Sequence, residues 1–281
     1  MSNPGRCLCG KVSWRLKNEP STSYHCHCKM CRKVHGTPFG TYYWVSVSDF
    51  EWTSERDSIV SFKSVAPSER TFCGECGSVV PLLLNGSMVI PAGSHDEGPR
   101  ANSHIFVGHK APWYEITDNI PQYQDFEPGD TEQIVLADKP LSFKSEDGIR
   151  GSCLCGAVNF EVIEALSLVY NCHCSRCRRA RAAAHATNAR TSSEGVRFLK
   201  GCTHVQTYRL TNAHFFAQAF CDQCGSALPR VDQERDIAVI PLGALDDDPD
   251  IRIRTNIFVA SKASWFTITD GIVNFDEGLP R

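Results

Sequence analysis

Short apolar stretches separated by turn-forming residues predict that the chain is mainly β. Residues 12–16 and 158–162 alternate between apolar and polar side chains, which is the period of a half-buried strand. Three continuous apolar runs, at 79–84, 88–90 and 237–240, are bounded by Gly, Pro or Asn and predict core strands. The patterns together predict small β domains.

One segment favours a helix instead. Residues 176–187 are dominated by Ala and Arg, which have high helix propensity. We predict a helix only there, so the fold class is mainly β with few short helices.

Four blocks of sequence occur twice in the same order, which predicts a duplicated domain. The first two pairs are offset by 146 residues and the third by 148, far more than the ~20–50 residues of a solenoid repeat. We predict domains at 1–127 and 147–281, joined by a linker at 128–146 that begins with polar and turn-forming residues. The paired blocks are 5–12 with 151–158, 26–31 with 172–177, 72–78 with 220–226, and 105–118 with 257–270.

Composition excludes several functional classes. The formal net charge of −3 argues against a dedicated nucleic-acid or anionic-membrane binder. The N-terminal residues lack the apolar core of a signal peptide, and no apolar run approaches the roughly 18 residues of a membrane span. We therefore expect a cytoplasmic protein, in which the 15 cysteines are reduced and serve as metal ligands rather than disulfides.

Two cysteine pairs in each unit predict a closed structural zinc site. A Cys-x-Cys turn and a distant Cys-x-x-Cys turn supply four thiolates, which suits a tetrahedral zinc ion. The expected ligands are Cys7, Cys9, Cys73 and Cys76 in the first unit and Cys153, Cys155, Cys221 and Cys224 in the second.

The Cys-His-Cys-x-x-Cys block of each unit supplies a cysteine triad with two possible roles. A histidine such as His25, His27 or His35 could complete a second closed site. Alternatively, the fourth position is open to water or a substrate thiolate, and the sequence leaves both readings standing. The triads are Cys26, Cys28 and Cys31 in the first unit and Cys172, Cys174 and Cys177 in the second.

Three thiolates indicate the kind of substrate that an open site would take. Soft, electron-donating sulfurs leave zinc a weak Lewis acid, so the site suits another soft thiolate better than hydroxide. A thiol bound there loses its proton and becomes a nucleophile near neutral pH. The expected partners are a low-molecular-weight thiol and an electrophile such as an aldehyde.

Together, the blocks G-x-C-x-C-G-x-V, C-H-C-x-x-C-R-K, F-C-x-x-C-G-S and H-I-F with a later W resemble the glutathione-dependent formaldehyde-activating (GFA) family, which includes centromere protein V, and the first unit carries all four. The resemblance implies two tandem β-tent domains, with one zinc on the four cysteines and another on the triad, up to four per chain. It also implies carbon–sulfur lyase chemistry that interconverts glutathione and formaldehyde with S-hydroxymethylglutathione. On this reading Cys26, Cys28 and Cys31 are catalytic ligands.

Four further residues are candidates in the first unit. Arg32 and Lys33 could pair with glutathione carboxylates, although a solvated basic pair is the commoner fate. His35 or His104 could shuttle the proton, because histidine titrates in the required range. A structural histidine is an equally good reading of either.

The second unit departs from the family pattern. It lacks the glycine and the aromatic residue that follow the first triad, and Asn256 replaces His104. If the pocket depends on these positions, the second unit binds zinc but has a different or absent substrate site. The cysteine without a counterpart, Cys202, is expected to be a small buried apolar residue.

The alternative function is a non-catalytic tandem zinc module that binds protein or nucleic acid. The acidic total charge and the acidic run at 246–250 argue against it, while a cluster of five arginines favours it. The cluster is Arg176, Arg178, Arg179, Arg181 and Arg190. Thiol–disulfide exchange at the Cys-x-x-Cys pairs is weaker, because no βαβ pattern surrounds them.

Overall fold

The computed structural model describes residues 3–20, 22–65, 68–128 and 148–279. The chain is mainly β with two short α-helices in this part, which confirms the predicted fold class. The predicted linker, apart from residue 128, lies outside the described residues. No helix among those described is both long enough and apolar enough to cross a membrane.

The first unit contains ten strands and one helix within the described ranges. They are β1 (Asn3–Arg6), β2 (Ser13–Leu16), β3 (Thr22–Cys26), α1 (Lys29–His35), β4 (Gly40–Ser46), β5 (Phe50–Trp52), β6 (Ile59–Val65), β7 (Ser68–Cys73), β8 (Leu82–Leu84), β9 (Ser87–Pro91) and β10 (Ser103–Ile105). They form sheets with the strand orders β1-β2-β5, β10-β3-β4-β9-β8 and β6-β7.

The second unit repeats this arrangement with twelve strands and one helix in the described part. They are β11 (Ile149–Ser152), β12 (Asn159–Val162), β13 (Ser167–Cys172), α2 (Ser175–Arg181), β14 (Ala186–Thr191), β15 (Val196–Lys200), β16 (Val205–Arg209), β17 (Ala217–Cys221), β18 (Ala227–Leu228), β19 (Arg230–Asp232), β20 (Ile237–Pro241), β21 (Thr255–Ile257) and β22 (Val273–Phe275). Their orders are β11-β12-β15, β19-β20-β14-β13-β21-β22 and β16-β17-β18.

The alternating segments fold as predicted, but the helix prediction was partly wrong. Residues 12–16 and 158–162 supply β2 and β12. The helix predicted over 176–187 ends at Arg181, and a corresponding α1 in the first unit was not predicted. Ala182 has φ of 50°, and a Cβ on Gly93 of the first unit would lie 2.0 Å from the Ala183 nitrogen. Tertiary packing therefore overrides the helix propensity of the alanine run.

Cys202 also differs from expectation, because its side chain is exposed rather than buried. It begins a 3-10 turn, Cys202–His204, which connects β15 with β16. A connecting turn runs over the surface, so its residues face solvent. All 15 cysteines are free thiols, as expected for metal ligands.

The two units complete each other's hydrophobic cores by exchanging tryptophan segments. Trp113 of the first unit packs in the core cluster around Phe160 of the second. Trp265 of the second unit packs with Trp14 in the core of the first, and its indole N–H lies 3.3 Å from the His95 carbonyl. Neither core is complete without the other unit.

A second reciprocal contact uses phenylalanine against glycine. A Cβ on Gly77 would lie 2.4 Å from the Phe220 ring, and a Cβ on Gly225 would lie 2.5 Å from the Phe72 ring. Both glycines also have φ near +70°, a backbone conformation that disfavours other residues. Only glycine therefore permits this close approach of the two units.

Two ion pairs join the units at matching positions, with different burial. Lys33 Nζ lies 2.9 Å from a carboxylate oxygen of Asp246, whose side chain is 1% exposed. Its counterpart Arg179 lies 2.5 Å from Asp96, whose side chain is 58% exposed. The pairs are pseudo-symmetric in position and unequal in solvation.

Candidate metal centres and substrate cavity

The two four-cysteine clusters have the geometry of a closed metal site. In each cluster all four sulfurs lie within 4.8 Å of one another. Neighbouring sulfurs are 3.3 to 3.8 Å apart, and tetrahedral zinc with bonds of ~2.3 Å requires about 3.8 Å. The donor set therefore fits zinc in both units.

Backbone and hydroxyl donors orient these sulfurs. In the first unit the Val12 N–H donates to Cys7 Sγ at 3.4 Å, and Ser78 Oγ lies 3.3 Å from Cys76 Sγ. The Ser78 hydroxyl also accepts from the Leu8 N–H at 3.1 Å, which ties the two cysteine turns together. The second unit has the same contacts through Val158, Ser226 and Leu154.

Each triad is built at a strand–turn–helix junction. In the second unit β13 ends at Cys172, Cys174 is the N-cap of α2, and Cys177 lies in its first turn. The Cys177 N–H donates to Cys174 Sγ at 3.4 Å. Hydrogen bonds from Cys172 and Cys177 lower the pKa of Cys174, which favours the thiolate form that a metal site requires. The first triad has the same construction on β3 and α1.

No histidine joins either triad within the described residues, because each metal-compatible group there contains three cysteines alone. His25 Nδ1 bonds to the Thr41 hydroxyl at 2.8 Å. His27 Nε2 bonds to His104 at 2.8 Å, and both His35 nitrogens have other partners. The geometry therefore favours the reading in which the fourth ligand position is open.

The two triads open onto cavities of very different size. The cavity at the first triad encloses about 40 Å³, roughly the volume of one water molecule. The cavity at the second triad encloses about 460 Å³, within the ~300–1,000 Å³ usual for small-molecule sites. Among the triad cavities lined by described residues, the one at the second triad alone has room for a substrate.

The register of the sheets explains why different side chains line the two triad cavities. In the first unit Trp44 and Leu82 both pair with Val89 of β9, the strand between β4 and β8. The Trp44 indole N–H donates to the Tyr24 hydroxyl at 2.5 Å, so these side chains fill the space over the triad.

The matching wall of the second unit carries charge. Arg190 and Arg230 both pair with Val239 of β20, so arginine stands where the first unit has tryptophan and leucine. The Arg190 guanidinium lies 5.8 Å from the centre of the Tyr170 ring. Among the described residues, this cavity is lined by no Asp or Glu and by five arginines: Arg176, Arg181, Arg190, Arg230 and Arg235.

The family model described as glutathione-dependent formaldehyde-activating enzyme matches residues 2–109 and 148–261. The chain belongs to the GFA family. Both halves match, as the duplicated blocks predict.

Curated proteins agree with this assignment. A Halomonas elongata protein, provisionally named a glutathione-dependent formaldehyde-activating enzyme, is 31% identical over 129 residues, which are 43% of this chain and 80% of that protein. An uncharacterized lyase of Schizosaccharomyces pombe is 31% identical over 77 residues, which are 27% of this chain and about half (53%) of that protein. A crystal structure of a Rhodobacter sphaeroides protein aligns with a TM-score of 0.29 and 23% identity, covering 36% of this chain and 90% of that one.

The candidate His35 of the first GFA unit reaches its triad only through a tyrosine. Its Nδ1 lies 2.5 Å from the Arg181 carbonyl, which can only accept, and its Nε2 lies 2.6 Å from the Tyr42 hydroxyl. Burial lowers the pKa of His35, so Nδ1–H donates and Nε2 accepts from Tyr42. The Tyr42 oxygen lies 3.6 Å from Cys31 Sγ.

The candidate His104 belongs to a buried chain at the interface between the units. Its Nε2 lies 3.0 Å from Asp118, and its Nδ1 lies 2.8 Å from His27 Nε2. Burial lowers the pKa of His104 and lowers that of His27 to about 3. Asn256 holds the same place in the second unit, 3.1 Å from both His173 and Asp270.

Arg32 and Lys33, the basic pair that follows the first triad, lie in different surroundings. The Lys33 ammonium is buried against Asp246 and the Ser152 carbonyl of the second unit, at 2.9 and 2.8 Å. Arg32 is half-buried. Neither is among the described residues that line the two triad cavities.

The sequence interpretation missed two residues that shape the larger cavity. Tyr170 and Arg230 lie on separate strands with no motif around them. The arginine cluster that includes Arg190 was recognised, but it favoured a module that binds protein or nucleic acid. Two of its arginines are buried at the unit interface or near the triad: Arg178 and Arg181 are 2% and 8% exposed.

Proposed function

We propose that this protein is a zinc-dependent carbon–sulfur lyase that acts on glutathione adducts of formaldehyde or another small aldehyde. We propose that the reaction takes place in the second unit. The observation that carries this proposal is the 460 Å³ cavity into which the second triad opens. Membership of the GFA family and the lyase name of a relative support the reaction class.

The residues fit the metal that this chemistry needs. Each four-cysteine cluster would hold a structural zinc ion, and each triad would hold another with an open position, up to four per chain. A zinc ion bound by the second triad would lower the pKa of a thiol substrate at that position.

The proposed reaction needs no reactant other than the thiol and the aldehyde. In the forward direction the glutathione sulfur bonds to the aldehyde carbon, and the proton lost by the thiol is delivered to the carbonyl oxygen. Lysis reverses both transfers. Burial raises the pKa of Tyr170, so this phenol in the cavity wall stays protonated and can donate to the aldehyde oxygen.

The cavity offers partners for the ends of a peptide thiol. Buried acceptors without partners, Asn188 Oδ1 and Gln218 Oε1, belong to lining residues and suit an ammonium or amide N–H. The arginines suit the two carboxylates of glutathione. The Gln218 amide donates to the Cys76 carbonyl at 2.8 Å, so the first unit helps to position this wall.

The first triad then serves mainly as support. The roles predicted there for His35, His104, Arg32 and Lys33 stay predictions, and the small cavity limits them to substrates that open it. The binding-module alternative loses its main argument, since Arg178 and Arg179 are engaged by Asp96 and Arg181 is buried.

Exchange NMR on glutathione and formaldehyde tests the proposal. The zinc-loaded wild type should accelerate exchange, Cys172→Ala should abolish the acceleration, and the matched Cys26→Ala should retain most of it. Circular dichroism and zinc content would verify each variant. Loss in Cys26→Ala alone would place the chemistry in the first unit, and no acceleration by wild type would remove this substrate pair.

A further inference from the structure

The Arg181 guanidinium is a buried cation in the wall of the second cavity. The residue is 8% exposed, and its side chain has no hydrogen bond or ion pair in the described part of the chain. Its Nη1 is one of the buried atoms without a partner. Isolated buried charges are costly and are normally paired, so this cation indicates an anionic ligand.

The arginine lies next to the sulfur centre. Arg181 follows Cys177 by four residues on α2, a spacing that places two side chains on one helix face about 5–6 Å apart at Cβ. An anion bound to Arg181 would therefore sit close to the carbon that is bonded to the substrate sulfur. In a thiol–aldehyde adduct that carbon comes from the aldehyde.

The first unit places its buried cation differently. The charged residue in its cavity wall is Arg70 on β7, and Gln218 takes that place in the second unit, while His35 occupies the position that corresponds to Arg181. Both ring nitrogens of His35 have partners, whereas Arg181 Nη1 has none in the described part of the chain. Burial lowers the pKa of Arg181, which agrees with a guanidinium that lacks a hydrogen-bonded anion.

The other arginines of the cavity carry more positive charge than glutathione can neutralise. Asp232 lies 3.2 Å from Arg230 and also binds Arg235. Arg190 has no ion pair within the described ranges, and its Nε is buried without a partner. Glutathione carries two carboxylates and one ammonium, so the charge of five arginines, two of which share Asp232, exceeds its charge.

We propose that the aldehyde half of the substrate carries a carboxylate, which the Arg181 guanidinium binds beside the triad. This inference rests on the proposed lyase function. The planar fork of arginine matches a carboxylate. The reaction is the addition of a thiol to an α-oxo acid: the sulfur bonds to the carbonyl carbon, and the thiol proton goes to the carbonyl oxygen.

Binding of two unreactive analogues to the zinc-loaded full chain tests the inference. S-carboxymethylglutathione carries the acid group on the carbon bonded to sulfur, and S-methylglutathione is its neutral match. Calorimetry should give a preference of roughly ten- to a hundredfold for the acid, as a charge-assisted contact provides. Arg181→Gln should reduce the ratio to near one, while Arg181→Lys should retain part of it.

Matched variants distinguish carboxylate binding at Arg181 from an effect of the overall positive charge of the cavity. Arg235→Gln removes a cation that Asp232 already neutralises, so it should leave the ratio of the two affinities unchanged. Arg190→Gln provides a second test if Arg181→Gln does not fold, and it should lower the ratio by less. Equal affinity of wild type for both analogues would overturn the inference, as would a preference that survives Arg181→Gln.

The readouts keep the two proposals apart. Exchange NMR with glyoxylate in place of formaldehyde should show greater acceleration, and Arg181→Gln should reduce it for glyoxylate only. A preserved analogue preference without any acceleration would remove the lyase proposal alone. Accelerated formaldehyde exchange without an analogue preference would remove the carboxylate inference alone.

Discussion

The two units carry equivalent cysteines in equivalent geometry, yet the walls above their triads have opposite character. Trp44 and Leu82 close the first cavity to about 40 Å³, whereas Arg190 and Arg230 line a second cavity of about 460 Å³. The metal ligands are thus compatible with either a filled or an open site. The strand residues opposite them decide which one forms.

The largest effect should come from the feature that the units share. Cys73→Ser and Cys221→Ser each remove a ligand from a four-cysteine cluster, so each should cost more than about 4 kcal/mol or prevent folding. Denaturant unfolding with zinc analysis measures this. Cys28→Ser, in a triad, is the control and should cost much less. A mild effect of either cluster variant would contradict a structural role.

The next effect tests the unequal ion pairs. Lys33→Met leaves Asp246 buried without its 2.9 Å partner, and should cost about 3–5 kcal/mol. Arg179→Met removes the matching pair with the 58% exposed Asp96, and should cost about 0–1 kcal/mol. Urea midpoints at constant m-value measure both. Equal losses of unfolding free energy in the two variants would contradict the expected difference between the two ion pairs.

Placing the tryptophan of the first unit in the wall of the second cavity should make the second cavity resemble the first. Arg190→Trp fills the cavity and removes a cation, so affinity for S-methylglutathione should fall about tenfold or more. Calorimetry on the zinc-loaded protein measures it, and Trp44→Phe is the control in the other unit. Unchanged affinity would mean that the ligand does not use this wall.

The last prediction concerns a buried histidine that contacts Trp14 of the first core. His95 accepts from the Trp14 indole at 2.9 Å, whereas Leu245 and Phe160 occupy the matching places. Burial lowers the pKa of His95 from 6.5 to about 4, so protons favour the unfolded chain between these values. Its contribution is complete above pH 6.5 and is lost as the pH falls towards 4.

The double variant Trp14→Phe/His95→Leu imports the residues of the second unit. Its stability should depend less on pH than that of wild type, by up to about 1.4 kcal/mol per pH unit between pH 6.5 and 4. Unfolding free energies at pH 7, 6 and 5 measure the difference, in which the other titrating groups cancel. A parallel pH dependence would contradict a neutral buried His95.

The sequence was most informative where the chemistry is local. Cysteines two or three residues apart bring their sulfurs close together, so the pairs and triads that form the four clusters could be recognised from spacing. The alternation at 12–16 identified β2 for the same reason. Family membership followed from the same short blocks.

The walls and the interface could not be predicted because they depend on pairing between distant strands. Arg190 and Arg230 meet across β20, although 40 residues separate them. Helix α2 ends at Arg181 because the first unit approaches Ala183, which no local propensity expresses. The sequence therefore favoured the unit with the better motif, while the structure gives the other unit the larger cavity.

The exchanged tryptophan segments have a consequence for how such a chain can evolve. Because Trp113 and Trp265 each lie in the opposite core, the chain resembles a dimer whose partners are encoded together. In an assembly of identical chains, a substitution that filled one site would fill its twin as well. When both copies are encoded in one gene, a substitution in one leaves the other unchanged. One site can then become a structural support while the other acquires a new specificity.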